Sequence, residues 1–285
     1  AVVEGFINKD PTINIEGVIV NKVTSLRHKD LLEEVLNSIG VKMLGNIPNN
    51  PILRIENSHL GLSPSHEIKD ITARISDWCS IAEKNLDIRS IKKLIQPPKK
   101  EKKPIVIFKS KDESKKEKKS TKIAIAEDNA FHFHYPETKE FLEELGIQIL
   151  SWSPLKNEKI PENINGIILP GGFPEKYAEQ ISASYKSLDS IQKHYGEIPI
   201  YAECGGMLIL GESLSDLNNQ PHKMAGIFPF TAKKGPLQVG YRKIIGTQDS
   251  LIIRKGDTLI GHEFHRWELT KITGSSKTKS EKMDI

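Results

Sequence analysis

One stretch constrains everything around it. Residues 97–121 read PPKKEKKPIVIFKSKDESKKEKKST, ten lysines against four acidic residues. A segment so charged, opened by two prolines, cannot join a packed core, and it reads as a solvated, flexible linker. It divides the chain into residues 1–96, residues 122–270 and a polar Ser/Lys-rich tail at 271–285. The formal charge of +4 belongs to this segment alone, because the rest carries 31 basic and 33 acidic residues, a net of −2. No basic folded face for nucleic acid is therefore expected. Nor are aromatic residues interleaved with the lysines as single-strand binders require. The functional alternative for the linker is a tether to an anionic partner.

The 285 residues are 37% hydrophobic and 27% charged, enough for a packed core and for about two domains. No run approaches the roughly 18 consecutive apolar residues of a membrane helix. No basic, then apolar, then small-residue leader opens the chain, so a cytoplasmic, reducing setting is expected. Two cysteines exclude a disulfide scaffold and a four-thiolate zinc site. The first residue is Ala1, which suggests a processed or truncated start.

In the front part, the apolar run Ile13–Val20 predicts a strand ending near Asn21. Leu31, Leu32, Val35, Leu36 and Ile39 recur at helical spacing, and Gly40 is the expected C-cap. Val41–Gly45 is a second short strand, followed by a loop marked by Pro48 and Pro51. Ile68, Ile71, Ile75, Trp78, Cys79, Ala82 and Leu86 make one apolar helix face, which predicts Cys79 as a buried core thiol.

The back part alternates strand and helix. Strands are expected at Ile123–Ala126, Ile147–Trp152, Ile164–Leu169 and Ile198–Glu203. A helix starts at Pro136 and stops at Gly146, and another begins at Met207. This alternation predicts an α/β fold, a parallel sheet with helices on both faces, with sites beyond the carboxyl ends of its strands.

Cys204 stands between an apolar strand and Gly205-Gly206, at the start of a helix. Such an elbow exposes a thiol at the sheet edge. The helix start offers free N–H groups that stabilise a thiolate and bind an oxyanion. The alternative is a buried cysteine at a strand end. A thiol nucleophile needs a base, and His265, closing the strand candidate Leu259–His265, is the best placed histidine. Glu263 shares its face by period-two geometry and is a candidate to orient the imidazole. The alternative there is a pair of surface histidines. Gly171-Gly172, after another strand, suits a turn that presents backbone N–H groups to a negative oxygen, or an ordinary turn. His132 and His134 have period-two spacing, but no third metal ligand is evident, so packing over the site is expected and no metal is assigned. Neither GxxxxGK[ST] nor GxGxxG occurs.

Gly171-Gly-Phe-Pro-Glu175, Tyr201-Ala-Glu-Cys-Gly-Gly206 and Gly261-His-Glu-Phe-His265 resemble the triad-type (class I) glutamine amidotransferase domain of the CobB/CbiA cobyrinic acid a,c-diamide synthases. Ala126-Glu-Asp-Asn-Ala-Phe131 and Tyr135-Pro136 resemble the opening of that domain, whose fold is flavodoxin-like. Gly17-Val-Ile-Val-Asn-Lys22 and His59-Leu-Gly-Leu62 resemble the closing half of the family's P-loop-type, ATP-binding synthetase domain. The resemblance covers nearly all of residues 4–269. It implies glutamine hydrolysis with Cys204 as nucleophile, His265 as proton carrier, and N–H donors at Gly171, Gly172 and Gly205 for glutamine and its oxyanion. It further implies ATP and Mg2+ for activating the a- and c-acetate carboxylates of cobyrinic acid, a corrinoid. The amidotransferase step needs no cofactor. Asn21 matches a position that reads adenine, or else caps the turn after it.

Three departures stand out. The family's phosphate loop would precede residue 1, so the resemblance implies a fragment, a truncated product or one partner of a split enzyme, with a separate N-terminal synthetase segment. Many class I amidotransferases place Glu two residues after the catalytic His, where this chain has Trp267. The first Gly of the usual Gly-x-Cys-x-Gly elbow is Ala202. The alternatives are another tetrapyrrole amidase, such as a cobyric acid synthase or a nickel-sirohydrochlorin a,c-diamide synthase, and a non-catalytic binding module of the same fold.

Overall fold

The computed structural model describes residues 1–55, 63–95 and 121–271. Nearly all of the expected linker, the His59–Leu62 segment and the expected tail beyond Lys271 lie outside the described residues. The chain divides into two compact units, Ala1–Asp112 and Glu113–Ile285.

The first unit holds α1 (Val2–Lys9), β1 (Val18–Val23), α2 (Leu26–Ser38), β2 (Met43–Pro48), α3 (Ile71–Asn85) and α4 (Ile88–Leu94). β1 and β2 pair in parallel, Val18 opposite Met43 and Val23 opposite Pro48. The first strand thus begins at Val18 rather than Ile13, because β2 offers partners only from Met43. Ser25 caps α2 by accepting from the His28 N–H at 3.1 Å. Gly40 follows that helix with φ 71°, a left-handed conformation that costs glycine little. Asp87 caps α4 through the Ser90 N–H at 3.0 Å and takes Lys42 at 2.9 Å. These contacts hold its carboxyl well below the usual range, the Ser90 hydroxyl contributing most.

The α3 face departs from expectation. Its half-buried stripe is Ile71, Arg74, Trp78, Ile81, Ala82 and Asn85, with Trp78 donating to the Ile52 carbonyl at 2.9 Å. Ile75 and Cys79 fall outside that stripe, so Cys79 is exposed and is not a core thiol. Apolar residues cover too wide an arc of this helix for their spacing to select the face that packs.

The second unit holds β3 (Lys122–Ala126), α5 (Pro136–Glu144), β4 (Gln148–Trp152), β5 (Gly166–Leu169), α6 (Ala178–Ala183), α7 (Tyr185–His194) and β6 (Ile200–Ala202). There follow α8 (Gly205–Leu208), β7 (Ser213–Ser215), β8 (Pro221–Lys223), β9 (Phe230–Ile245) and β10 (Thr258–Lys271). Strands β4-β3-β5-β6 form a parallel sheet in that order. The chain runs outward from β3 to β4, then crosses back to β5. The crevice beyond the carboxyl ends of β3 and β5 is where such sheets place ligands.

The sheet is not parallel throughout the unit. A second sheet, ordered β10-β9-β7-β8, is mixed. β9 and β10 form a long antiparallel hairpin from Ile245–Thr258 to Phe230–Lys271. The expected strand Leu259–His265 is part of β10. Antiparallel neighbours need only a turn between them, so strand–helix alternation stops here. Both sheets contribute to one core: Ala124, Ala126, Ile167 and Leu169 from the first cluster with Leu214, Ala232 and Trp267 from the second.

Candidate active site

The elbow begins where β6 ends. Cys204 has φ 49° and ψ −120°, a conformation that costs a non-glycine residue roughly 1–3 kcal/mol. Hydrogen bonds on both sides impose it. Glu203 N–H donates to Leu169 O at 3.0 Å, Gly206 N–H to Glu203 O at 2.9 Å, and Met207 N–H to Cys204 O at 3.1 Å. Three backbone segments interlock at this point. A Cβ on Gly172 would lie 1.9 Å from Ala130 O, one on Gly206 2.1 Å from Leu169 O, and one on Gly205 2.7 Å from Gly172 O. Only glycine permits such approaches. Phe173 N–H donates to Ala130 O and Phe133 N–H to Gly171 O, each at 3.0 Å, tying the segment after β3 to the turn after β5.

The thiol therefore sits amid predicted site residues. The backbone N–H groups of Gly205 and Gly172 lie close enough to favour its ionised form. The Gly171 position lies against the Cys204 Cβ. The sulfur is open to solvent on one side, yet protein packs closely behind it. Desolvation pushes the thiol above its ordinary pKa, and the charges of Glu175 and Glu203 push it further. The two N–H groups pull the other way and do not prevail. This corrects the expectation of a helix-stabilised thiolate: α8 has only four residues, and two carboxylates face the sulfur. Glu175 is itself buried, and it was not singled out from the sequence. The Tyr201 hydroxyl donates to Glu203 at 3.0 Å, and desolvation together with that carboxylate pushes the phenol up to about 12.

Around the elbow, the His132 ring lies 5.6 Å from Phe173 and the Lys176 ammonium 5.2 Å above that same ring. His134 Nε2 is 3.5 Å from Glu127. Glu127 also accepts from Lys139 at 2.8 Å on both oxygens and from the Ser151 hydroxyl, which together hold its carboxyl below the usual range. Among the described residues, no group of three His, Cys, Asp or Glu is arranged to hold a metal.

His265 stands on β10, in the second sheet. Its Nδ1 lies 2.9 Å from the Trp267 main-chain oxygen. Glu263 does share its face, but its Oε1 is 3.8 Å from Nε2, beyond hydrogen-bond length. Both Glu263 oxygens are instead taken by Arg242, at 2.8 and 3.0 Å. The carboxylate expected to orient the ring is thus bound to a guanidinium on the neighbouring strand. Nothing in the spacing of β10 could reveal Arg242, which comes from β9. Asn21, in the first unit, is exposed, and its side-chain oxygen accepts from the Lys22 N–H at 2.8 Å, the turn-capping arrangement.

Residues 122–282 match the model of the CobB/CobQ-like glutamine amidotransferase domain. The chain is 33% identical over 98% of its length to the cobyrinate a,c-diamide synthase of Caldanaerobacter subterraneus, covering 61% of that protein. It is 36% identical over 93% of its length to the synthase of the same name from Streptococcus sanguinis, covering 58%. It is 30% identical over its whole length to the hydrogenobyrinate a,c-diamide synthase of Mesorhizobium japonicum, covering 63%. The chain thus spans about three fifths of the length of these relatives. With more than half of its residues inside the matched model and the Cys204 elbow among them, the chain belongs to the family of CobB/CobQ-like glutamine amidotransferases.

Proposed function

We propose that the second unit hydrolyses glutamine and that the ammonia serves to amidate the a- and c-acetate carboxylates of cobyrinic acid or its metal-free relative. The observation that carries this reading is the elbow itself: a cysteine held at φ 49° where the Gly171-Gly172 turn packs against the start of α8. Strain of this kind persists only where surrounding structure enforces it, and here it presents a thiol outward.

Because burial raises the thiol pKa, Cys204 is protonated at neutral pH and a base must take its proton as it attacks. His265 is that base. The sulfur bonds to the amide carbon of glutamine, and the carbonyl electrons move to oxygen. The N–H groups of Gly172 and Gly205, with the Gly171 turn beside them, receive the resulting oxyanion. The imidazolium returns its proton to the nitrogen as the C–N bond breaks, releasing ammonia. Water, losing a proton to His265, then cleaves the thioester to give glutamate and the free thiol.

The first unit is read as the closing half of an ATP-binding synthetase domain, with 97–121 as a linker and 122–270 as the amidotransferase domain. No phosphate-loop motif occurs in these residues and the Asn21 side-chain oxygen accepts from the Lys22 N–H, so ATP and Mg2+ rest on the family resemblance. The corrinoid substrate rests on the names of the relatives.

The test is glutaminase activity of the full chain, with and without a supplied synthetase partner. Cys204→Ser is expected to reduce it to background, and His265→Ala by about 10²–10⁴-fold. Equal inertness of wild type and Cys204→Ser in both conditions would favour a binding module instead.

A further inference from the structure

We propose that the main-chain carbonyl of Trp267 is the positioning group for His265, a neutral oxygen where a carboxylate was expected. The inference rests on the reading of His265 as the base for Cys204. Nδ1 and the carbonyl oxygen are 2.9 Å apart. A carbonyl only accepts, so Nδ1 must carry a proton, and in the neutral ring Nε2 then carries the lone pair. That is the tautomer a base acting through Nε2 needs. Glu263 cannot dictate the opposite choice, since Arg242 holds both of its oxygens and Nε2 lies 3.8 Å away.

The ladder between β10 and β9 is irregular beside this contact. In a regular strand, backbone carbonyls point toward neighbouring strands rather than toward side chains of the same strand. Here the ladder slips: His265 lies opposite Gln238, and Trp267 opposite Lys234. Residues 235–237 of β9 face Arg266 alone, so the bulge lies on β9. The Trp267 carbonyl that accepts from the imidazole lies next to this irregularity.

The indole then fixes that carbonyl in place. Trp267 is 5% exposed, and its Nε1–H donates to the Ser215 carbonyl on β7 at 3.0 Å. Ser215 lies in the short strand that follows the Cys204 elbow and α8. The residue that sets the base is therefore pinned to the chain leading away from the nucleophile.

The experiment is ¹⁵N NMR of the histidine rings in the full chain, with His265→Gln identifying the signal. The expected result, with the ring neutral, is a protonated Nδ1 and an unprotonated Nε2. A protonated Nε2 would overturn the proposal, whether or not the protein hydrolyses glutamine, so failure of the glutaminase reading is seen separately. Trp267→Phe keeps an aromatic ring in the core and removes the indole donor. It is expected to mix the two tautomers and to lower glutaminase kcat about tenfold with KM little changed. Glu263→Gln is expected to preserve the wild-type tautomer, and a switch in that variant would count against the carbonyl. Should Trp267→Phe not fold, the wild-type ring signal decides alone.

Discussion

Gly206→Ala tests the interlocked elbow most directly. The new methyl carbon would lie 2.1 Å from Leu169 O, 2.5 Å from Leu169 C and 2.7 Å from Pro170 O, all main-chain atoms that no side-chain rotation can move. The turn after β5 and the elbow after β6 must separate by about 1 Å, an overpacking cost of roughly 1–3 kcal/mol. The Glu203–Leu169 hydrogen bond bridges the two segments and is worth about 1 kcal/mol. Replacing glycine lowers the freedom of the unfolded chain and returns about 0.4–1 kcal/mol. The net destabilisation is about 1–4 kcal/mol, or a fall in Tm of roughly 3–12 °C for a unit of this size. The assay is thermal unfolding followed by tryptophan emission in a Trp78→Phe background, so that Trp152 and Trp267 report the second unit alone. Gly261→Ala is the control: nothing lies within 4 Å of a Cβ there, and its effect should stay within about 0.5 kcal/mol. Glutaminase activity should fall about 100-fold in Gly206→Ala, since the thiol moves with the elbow. If the two variants melt together, the close approach of these backbones is wrong, and so is the account of Cys204 that depends on it.

The raised thiol makes a second prediction. In a Cys79→Ala background, alkylation of Cys204 by iodoacetamide should accelerate with pH through a midpoint above the ordinary 9.0, and a midpoint at or below that value would contradict the dominance of desolvation. Glu127 makes a third, of opposite sign. Its carboxyl is held below the ordinary 4.5, so its stabilising contribution is present above that pH and is lost as pH falls through the lowered value. Lys139→Met should therefore lower Tm at neutral pH and converge with wild type under strongly acidic conditions, whereas a uniform offset at all pH values would show that the charge pair is not the cause.

The parallel sheet was readable because its strands are short, mostly apolar stretches set between helix and turn signals: Ile123–Ala126, Ile147–Trp152 and Ile164–Leu169 all fall on observed strands, within a residue or two. Elements with other means of burial escaped. The inner face of α7 includes Ser187 and Ser190, which no hydropathy pattern counts as core. Ser187 donates to Glu158 O, and Ser190 donates to Ser187 O at 2.8 Å while accepting from Ile160 N–H at 3.2 Å. β9 reads FTAKKGPLQVGYRKII, with lysines, two glycines and a proline inside it and few buried positions. Its existence depends on β10, which supplies a partner at nearly every residue. A strand defined by its neighbour rather than by its own pattern leaves little trace in local sequence. Exposed Cys79 shows the limit from the other side: periodicity finds a helix more readily than it finds the direction the helix faces.

The same distinction applies to the chemistry. The position of a nucleophile is a local property, and Glu203-Cys204-Gly205-Gly206 announces it: a strand end, a thiol and two residues without side chains. The acidity of that nucleophile is a property of everything packed around it, and here it runs opposite to the local expectation. Burial of the thiol removes water, and Glu175 and Glu203 add negative charge. A thiol of raised pKa is a poor nucleophile at neutral pH unless its proton leaves as it attacks, so the elbow demands a base with its lone pair already aimed. If His265 is that base, the carbonyl of Trp267, 2.9 Å from Nδ1, is the group placed to hold its lone pair on Nε2.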